Sequence, residues 1–401
     1  MQSSYRWLVA LLLATATALN YLDRQSLPVV VAELQKQIPI SPDEYSRMQA
    51  AFLLAYAAMY AIGGRIIDYL GTKAGYAVFI AWWSAATIAH GFANSVSGLS
   101  VSRFLLGLGE GGGFPASAKA VSETFPPKER SFAFGLFNTG SSIGAVLAPP
   151  LIAAIALSSG WRSVFYLAGA CGFAWLLTWL VLYRPVAQAT VSAEPRASWL
   201  ELLRRRETVG LVACKFLSDA AWFFYIFWLP KYLNDARGLD TKAIGAYAWV
   251  PYAFAAAGSL FGGYLSSWLL ARTSDLNRSR KLVLGASAAI MPVSLLISQA
   301  PLSSALFFFG LALLGHQCWS SLVQTVVADI FPSRSVATVS GLVGCAGSLG
   351  GLLFNLAIGW IIQSFGSYAP AFTVSGLLHP LAFLVLITFI PRIIPVEEPS
   401  S

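Results

Sequence analysis

The chain has 401 residues, of which 57% are hydrophobic and only 11% charged, with a formal net charge of +8. Soluble domains carry roughly 25% charged residues, so a soluble enzyme or nucleic-acid-binding domain is excluded and the excess positive charge is left to loops. A mean hydropathy of +0.66 and 13 Trp place most of the surface in lipid.

A membrane-crossing helix needs about 20 mostly apolar residues. Read in order, the chain predicts twelve such spans, near 7–31, 47–67, 74–92, 96–120, 132–157, 162–183, 208–232, 243–270, 282–299, 302–328, 337–363 and 369–390. Backbone groups in lipid must satisfy one another, so these runs read as helices; barrel strands would be short and alternating. The expected fold is an all-α membrane protein of twelve transmembrane helices.

The first span opens after Arg6 and contains Ala14-Thr15-Ala16, which also fits a cleaved signal peptide. The apolar run resumes past Asp23 and Arg24, however, and its removal would leave eleven spans. Ionisable groups at bilayer depth are costly, so each is a functional candidate. Tyr21 and Arg24 are three apart and share a helix face. Arg24 offers a planar fork to a carboxylate, and Tyr21 a hydroxyl to a ligand oxygen. The alternative is an internal ion pair between Arg24 and an acid of another span.

Span two carries Tyr56 and ends in Gly64-x-x-x-Asp68-Tyr69-Leu70-Gly71-Thr72-Lys73. Asp68 can cap or pair at a helix end there, and Gly71 permits a tight turn. Span four carries Arg103-x-x-x-Gly107-x-Gly109-x-Gly111, whose glycines let neighbouring backbones approach closely. Arg103 and Glu110 stand two turns apart on one face, and Asp23 is a candidate to meet Arg103. Glu110, amid glycines in an apolar span, is the leading candidate proton carrier, with Asp23 second and Arg103 as modulator. Asn138 and Ser141 in span five and Asn355 in span eleven offer hydrogen bonds to a ligand, or pin helices together.

The longest polar stretch, 184–207, holds Pro185, Pro195 and Arg204-Arg205-Arg206, and six spans lie on each side of it. It reads as a cytoplasmic linker between bundles 1–183 and 208–401. Span seven holds Lys215 and Asp219, four apart and able to pair, followed by Trp222, Tyr225 and Trp228 as candidate cavity walls. Span ten holds His316, Gln317 and Trp319 in a stretch continuing through Ser320, Ser321 and Gln324. The four cysteines are scattered within spans and fit neither a metal site nor a disulfide framework. With the N-terminus inside, cytoplasmic loops and tails hold seventeen Lys and Arg against six outside, which puts both termini in the cytoplasm.

The two sides of the linker repeat one another. Phe125-Pro126, Gly135 and Ser142-Ile143-Gly144 are each followed 206 residues later by Phe331-Pro332, Gly341 and Ser348-Leu349-Gly350. Gly63-Gly64 and Gly262-Gly263 stand 199 apart. Such order implies duplication of a six-span unit.

The loop from Gly64 to Lys73 and the Arg103 to Gly111 run resemble two signatures of the major facilitator superfamily, the second associated with its proton-coupled members. The second-half counterpart of the loop departs from the pattern, with Ser267 where an acid is expected. A narrower resemblance covers nearly the whole chain. Asn20-Tyr21-Leu22-Asp23-Arg24, the stretch from Arg103 to Pro115, Lys215-Phe216-Leu217-Ser218-Asp219, Tyr225 to Leu233 and Gly315-His316-Gln317-Cys318-Trp319 are similar to the anion:cation symporter family. Spans seven and ten are most like bacterial hexuronate transporters. The resemblance implies two rocking six-helix bundles related by pseudo-twofold symmetry, in a bacterial inner membrane. It implies proton-driven uptake of a sugar acid, with Arg24 taking the anion and no cofactor beyond the coupling proton. Tyr21, Tyr56, Asn138, Ser141, Trp222, His316, Gln317, Trp319 and Asn355 are the expected sugar contacts, and a monomer is the expected working unit. Export by antiport is the competing transport function. Drug antiporters of the superfamily carry a Gly-Pro step in span five, and here Gly144 is followed by Ala145. No phosphate loop, zinc helix or nucleophile elbow supports an enzyme.

Overall fold

In the computed structural model, which describes residues 3–185 and 199–394, local polar chemistry decides where helices begin. Ser41 starts the second helix with a capping box. Its hydroxyl accepts from the Glu44 amide at 3.2 Å, and the Glu44 carboxylate accepts from the Ser41 amide at 2.9 Å. Asp240 and Asp275 cap later helices by accepting from the amides of Ala243 and Arg278. Gly71 and Gly160 join successive helices with φ of +77° and +82°, backbone geometry that a side chain would strain.

The first half comprises α1 (Ser3–Gln35), α2 (Pro42–Leu70), α3 (Thr72–Phe92), α4 (Val96–Gly111), α5 (Gly113–Thr124), α6 (Pro127–Ser159) and α7 (Trp161–Leu182). After the short α8 (Trp199–Leu203) come α9 (Arg206–Asp235), α10 (Thr241–Tyr247), α11 (Trp249–Thr273), α12 (Leu276–Ile290), α13 (Leu302–Ile330), α14 (Ser333–Phe365) and α15 (Ala369–Phe389). The pairs α4–α5 and α10–α11 each make one interrupted rod, and α12 continues into a tight 3₁₀ segment, Met291–Leu296. Among the described residues, this gives twelve long rods and no strand. Nine segments are long and apolar enough to cross a membrane by length and composition alone. The remaining three rods are α1, which carries Asp23 and Arg24; α3, which carries two Trp and His90; and the broken α4–α5.

Two expectations need correction. Span four is not one helix: it breaks at Gly112, inside the cluster Gly111-Gly112-Gly113, where no side chain stiffens the turn. Span nine begins at Leu276 rather than 282, because the Asp275 cap draws Arg278, Arg280 and Lys281 into helix.

By contact the chain divides into two units. One comprises Met1–Ser192, Ile226–Trp249 and Asn355–Phe365, the other Ala193–Tyr225, Val250–Phe354 and Gly366–Ser401. This division differs from a cut at the linker, since the end of α9, all of α10 and the end of α14 fall with first-half helices. Within the first unit, the Tyr45 hydroxyl donates to the Phe227 carbonyl at 2.6 Å, and Thr241 donates to Glu33 at 3.0 Å. The middle of the 184–207 linker, with Pro195 and Arg196, lies outside the described residues.

In the first unit α1 packs on α6, α2 on α4 and α3 on α7. At Gly144 of α6, an added Cβ would collide with the Ala18 carbonyl of α1. In the second unit, Gly350 of α14 bears in the same way on the Phe216 carbonyl of α9. The duplicated glycine therefore makes the same close seam twice. Tyr76, Trp179, Trp175 and Tyr183 stack along the α3–α7 seam, and Leu211, Leu284, Leu322, Val326 and Leu386 anchor the apolar core of the second unit.

Candidate substrate and coupling sites

The first unit holds a buried charged cluster on α1, α2 and α4. Glycines at 107 and 111 bring α4 against the α2 backbone, which sets Glu110 beside α1. Arg24 donates to Glu110 Oε2 from Nη2 at 2.8 Å and from Nε at 3.1 Å. Its Nη2 also reaches Asn20 Oδ1 at 3.2 Å, and its guanidinium lies over the rings of Tyr21 and Tyr56, 5.0 and 4.9 Å from their centroids. Side-chain exposure is 4% for Arg24 and 0% for Glu110, so the pair sits in a low dielectric, where such contacts are strongest. Glu110 Oε1 meets no hydrogen-bond donor.

Arg103, the same-face neighbour expected to serve Glu110, does something else. Its Nη2 donates to the Arg24 carbonyl at 3.2 Å, and its guanidinium packs over Phe52 and Phe227. The ion pair with an acid of another span, the alternative expected for Arg24, is the one present, and that acid is Glu110 on the facing helix. Asp23 is buried beside the Thr87 hydroxyl, with Arg103 and Glu110 as its charged neighbours, and it forms no ion pair with Arg103. Asn138 is exposed on α6, where Ser141 donates to its carbonyl at 2.6 Å. Asn355 accepts from Trp228 Nε1 at 2.7 Å, so that side chain pins α14 to α9 in the first unit.

The second unit holds its own buried cluster on α9, α13 and α15. Lys215 Nζ lies 3.0 Å from Asp219 Oδ1 and donates to Ser320 at 2.6 Å. His316 Nδ1 and His379 Nε2 are 3.0 Å apart, and His316 Nε2 is 3.9 Å from Asp219 Oδ1. Trp222 stacks flat on His316 with centroids 4.8 Å apart. Trp319 is wholly buried, edge-on to His379 at 5.8 Å, while Gln317 is half-buried. His379 and Asn20 are members that sequence reading missed. His379 has no helical partner to flag it, although it is one of only three histidines in the chain.

At the loop signature, Asp68 pairs with Lys119 of α5 at 2.8 Å, and the Lys73 carbonyl accepts from Trp179. A Cβ added at Gly64 would touch the Pro115 side chain at 4.0 Å, and Gly71 makes the turn. In the second unit, where Ser267 replaces the expected acid, the ion pair lies between α12 and α13. Asp329 accepts from Arg280 at 2.8 Å, and Arg280 also donates to Ser266. The four cysteines are unpaired, and among the described residues no three His, Cys, Asp or Glu side chains gather as metal ligands.

The family model described as Major Facilitator Superfamily matches residues 13–354. The chain belongs to the Major Facilitator Superfamily. It is therefore a multi-pass membrane transporter and not an enzyme. Among curated proteins, this transporter is 34% identical to the hexuronate transporter of Escherichia coli K12, over 96% of its own length and 93% of that protein. It is 36% identical to the galacturonate transporter of Dickeya chrysanthemi, over 71% of its length and 89% of that protein. Its fold superposes on the crystal structure of a D-xylose-proton symporter with a TM-score of 0.77, at 15% identity and with 97% and 99% of the two chains covered.

Proposed function

We propose that this transporter is a proton-coupled symporter that takes up a hexuronate or related sugar acid across the bacterial inner membrane, with both termini in the cytoplasm. The observation that carries the proposal is the buried Arg24–Glu110 pair. A guanidinium held by a carboxylate has little left for a second anion. Protonating Glu110 cancels the carboxylate's charge and leaves Arg24 with an unmet positive charge in a dry site, which a substrate carboxylate then satisfies. Proton and anion therefore bind together, which is the thermodynamic condition for symport. Asn20, Tyr21 and Tyr56 surround the guanidinium and suit sugar hydroxyls. Asp23, buried with Arg103 and Glu110 as its charged neighbours, is the second acid of the set, and Arg103 tunes it. Relatives named for hexuronate and galacturonate support the substrate class.

Proteoliposomes holding the purified transporter test the reading. Galacturonate or glucuronate should accumulate under an inward proton gradient and stop accumulating when the gradient is collapsed. Glucose and galactose should compete poorly, because they leave Arg24 without a counterion. Equal binding of glucose and glucuronate would remove the sugar acid from the proposal.

A further inference from the structure

The second unit contains a chain of buried polar groups for which the Arg24 mechanism has no use: Ser320, Lys215, Asp219, His316 and His379, linked at 2.6, 3.0, 3.9 and 3.0 Å. We propose that these residues form a proton-switched anion site, in which a proton shared by His316 and His379 turns the neutral Lys215–Asp219 pair into a net positive centre for one carboxylate. The proposal rests on the sugar-acid reading for its ligand, and on geometry for its switch.

The charges that face this site are few. Lys215 and Asp219 come from α9, His316 from α13 and His379 from α15; α14 passes close at Gly347, where an added Cβ would collide with Asp219 Oδ2. With both imidazoles neutral, Lys215 and Asp219 cancel and the site attracts no anion. The tautomer that suits Asp219 has His379 Nε2–H donating to His316 Nδ1 and His316 Nε2–H turned towards the carboxylate. That leaves His379 Nδ1 as a bare nitrogen, buried and without a partner. A proton taken up there spreads through the 3.0 Å hydrogen bond to His316, beside Asp219. The site then carries two positive groups and one negative, and Asp219 no longer neutralises Lys215.

The ligand's landing place is on α13. Gln317 and Gln324 each stand three and four residues from the adjacent pair Ser320 and Ser321, so the four form a polar stripe along one face of a membrane-length helix, and all four are at least partly exposed. Lys215 Nζ reaches this stripe at Ser320. A carboxylate that meets Lys215 there has hydroxyl and amide partners for its neighbouring sugar hydroxyls.

The flat stack of Trp222 on His316 supplies a readout that needs no substrate. A cationic ring against the indole quenches its emission, so tryptophan fluorescence of the substrate-free transporter in nanodiscs should fall on acidification. The pH-dependent component should shrink in Trp222→Phe, with Trp319 beside His379 carrying any remainder, and vanish in His379→Gln; its survival in His379→Gln overturns the switch. Galacturonate binding reads the second half. One proton taken up with the ligand changes affinity by at most about tenfold per pH unit, so affinity should rise about tenfold or more between about pH 8 and about pH 6. Asp219→Asn, close to isosteric, leaves Lys215 charged without a counterion. It should bind at the alkaline end about as tightly as wild type binds at the acidic end, with its pH dependence flattened. Wild-type pH dependence in that variant overturns the anion site. If galacturonate binds at no pH, the sugar-acid reading fails, while the substrate-free titration still decides the switch.

Discussion

Arg24 holds Glu110 through two nitrogens of one planar group, and the two positions respond differently to substitution. In Arg24→Lys the charge survives but the fork does not. A hydrogen bond to a charged group contributes about 1.5–3 kcal/mol, so losing one should weaken sugar-acid binding roughly ten- to a hundredfold; calorimetric titration of the purified variant measures it. Glu110→Gln mimics the protonated acid. It should still bind and exchange sugar acid across the membrane, yet lose uphill accumulation driven by a pH gradient. Undiminished accumulation would move the coupling role to Asp23. Much of this cluster was legible in the sequence, because an ionisable side chain in an apolar run announces itself. Its wiring was not. Residue spacing reports neighbours on one helix, whereas the decisive contact joins α1 to α4 across a gap that the glycines of α4 close. His379 was missed for the same reason, since its meaning depends on His316 from another helix.

The helices themselves were readable to within a few residues, since lipid leaves the backbone one economical way to satisfy its hydrogen bonds. What escaped notice were local events without a hydropathy signal: the break at Gly112 and the Asp275 cap that extends α12. The cap matters for stability, because it delivers Arg280 to Asp329. Both side chains are largely buried, and removing one partner of a buried pair leaves an uncompensated charge. Asp329→Ala should therefore destabilise the protein by about 3 kcal/mol, seen as a clear loss of melting temperature in detergent. Restoring the charge in Asp329→Glu should recover part of it. The seam at Gly350 makes a sharper test. Gly350→Ala drives a methyl into the Phe216 carbonyl and should cost about 1–3 kcal/mol, while Gly263→Ala, inside α11 and meeting nothing within 4 Å, should hold or slightly raise the melting temperature.

At the scale of the whole molecule, the charge asymmetry of the loops makes orientation testable. Single cysteines placed at the exposed positions Asn94, in the α3–α4 loop, and Ser274, in the α11–α12 loop, should label from opposite sides of the membrane, Ser274 only from the cytoplasm. Cys171 must be replaced first, as the exposed native thiol among the four. Labelling of Ser274→Cys from outside would reverse the topology. The duplicated glycine seams described above also set how the gene can vary. Side chains such as Leu177, Val181, Leu260 and Trp360 point outward, where lipid asks only for an apolar group. In a saturation library selected for growth on a sugar acid, those codons should accept almost any apolar replacement and refuse charges. Codons 144 and 350 should accept almost nothing larger than glycine, and their tolerance should match each other's more closely than that of the codons beside them.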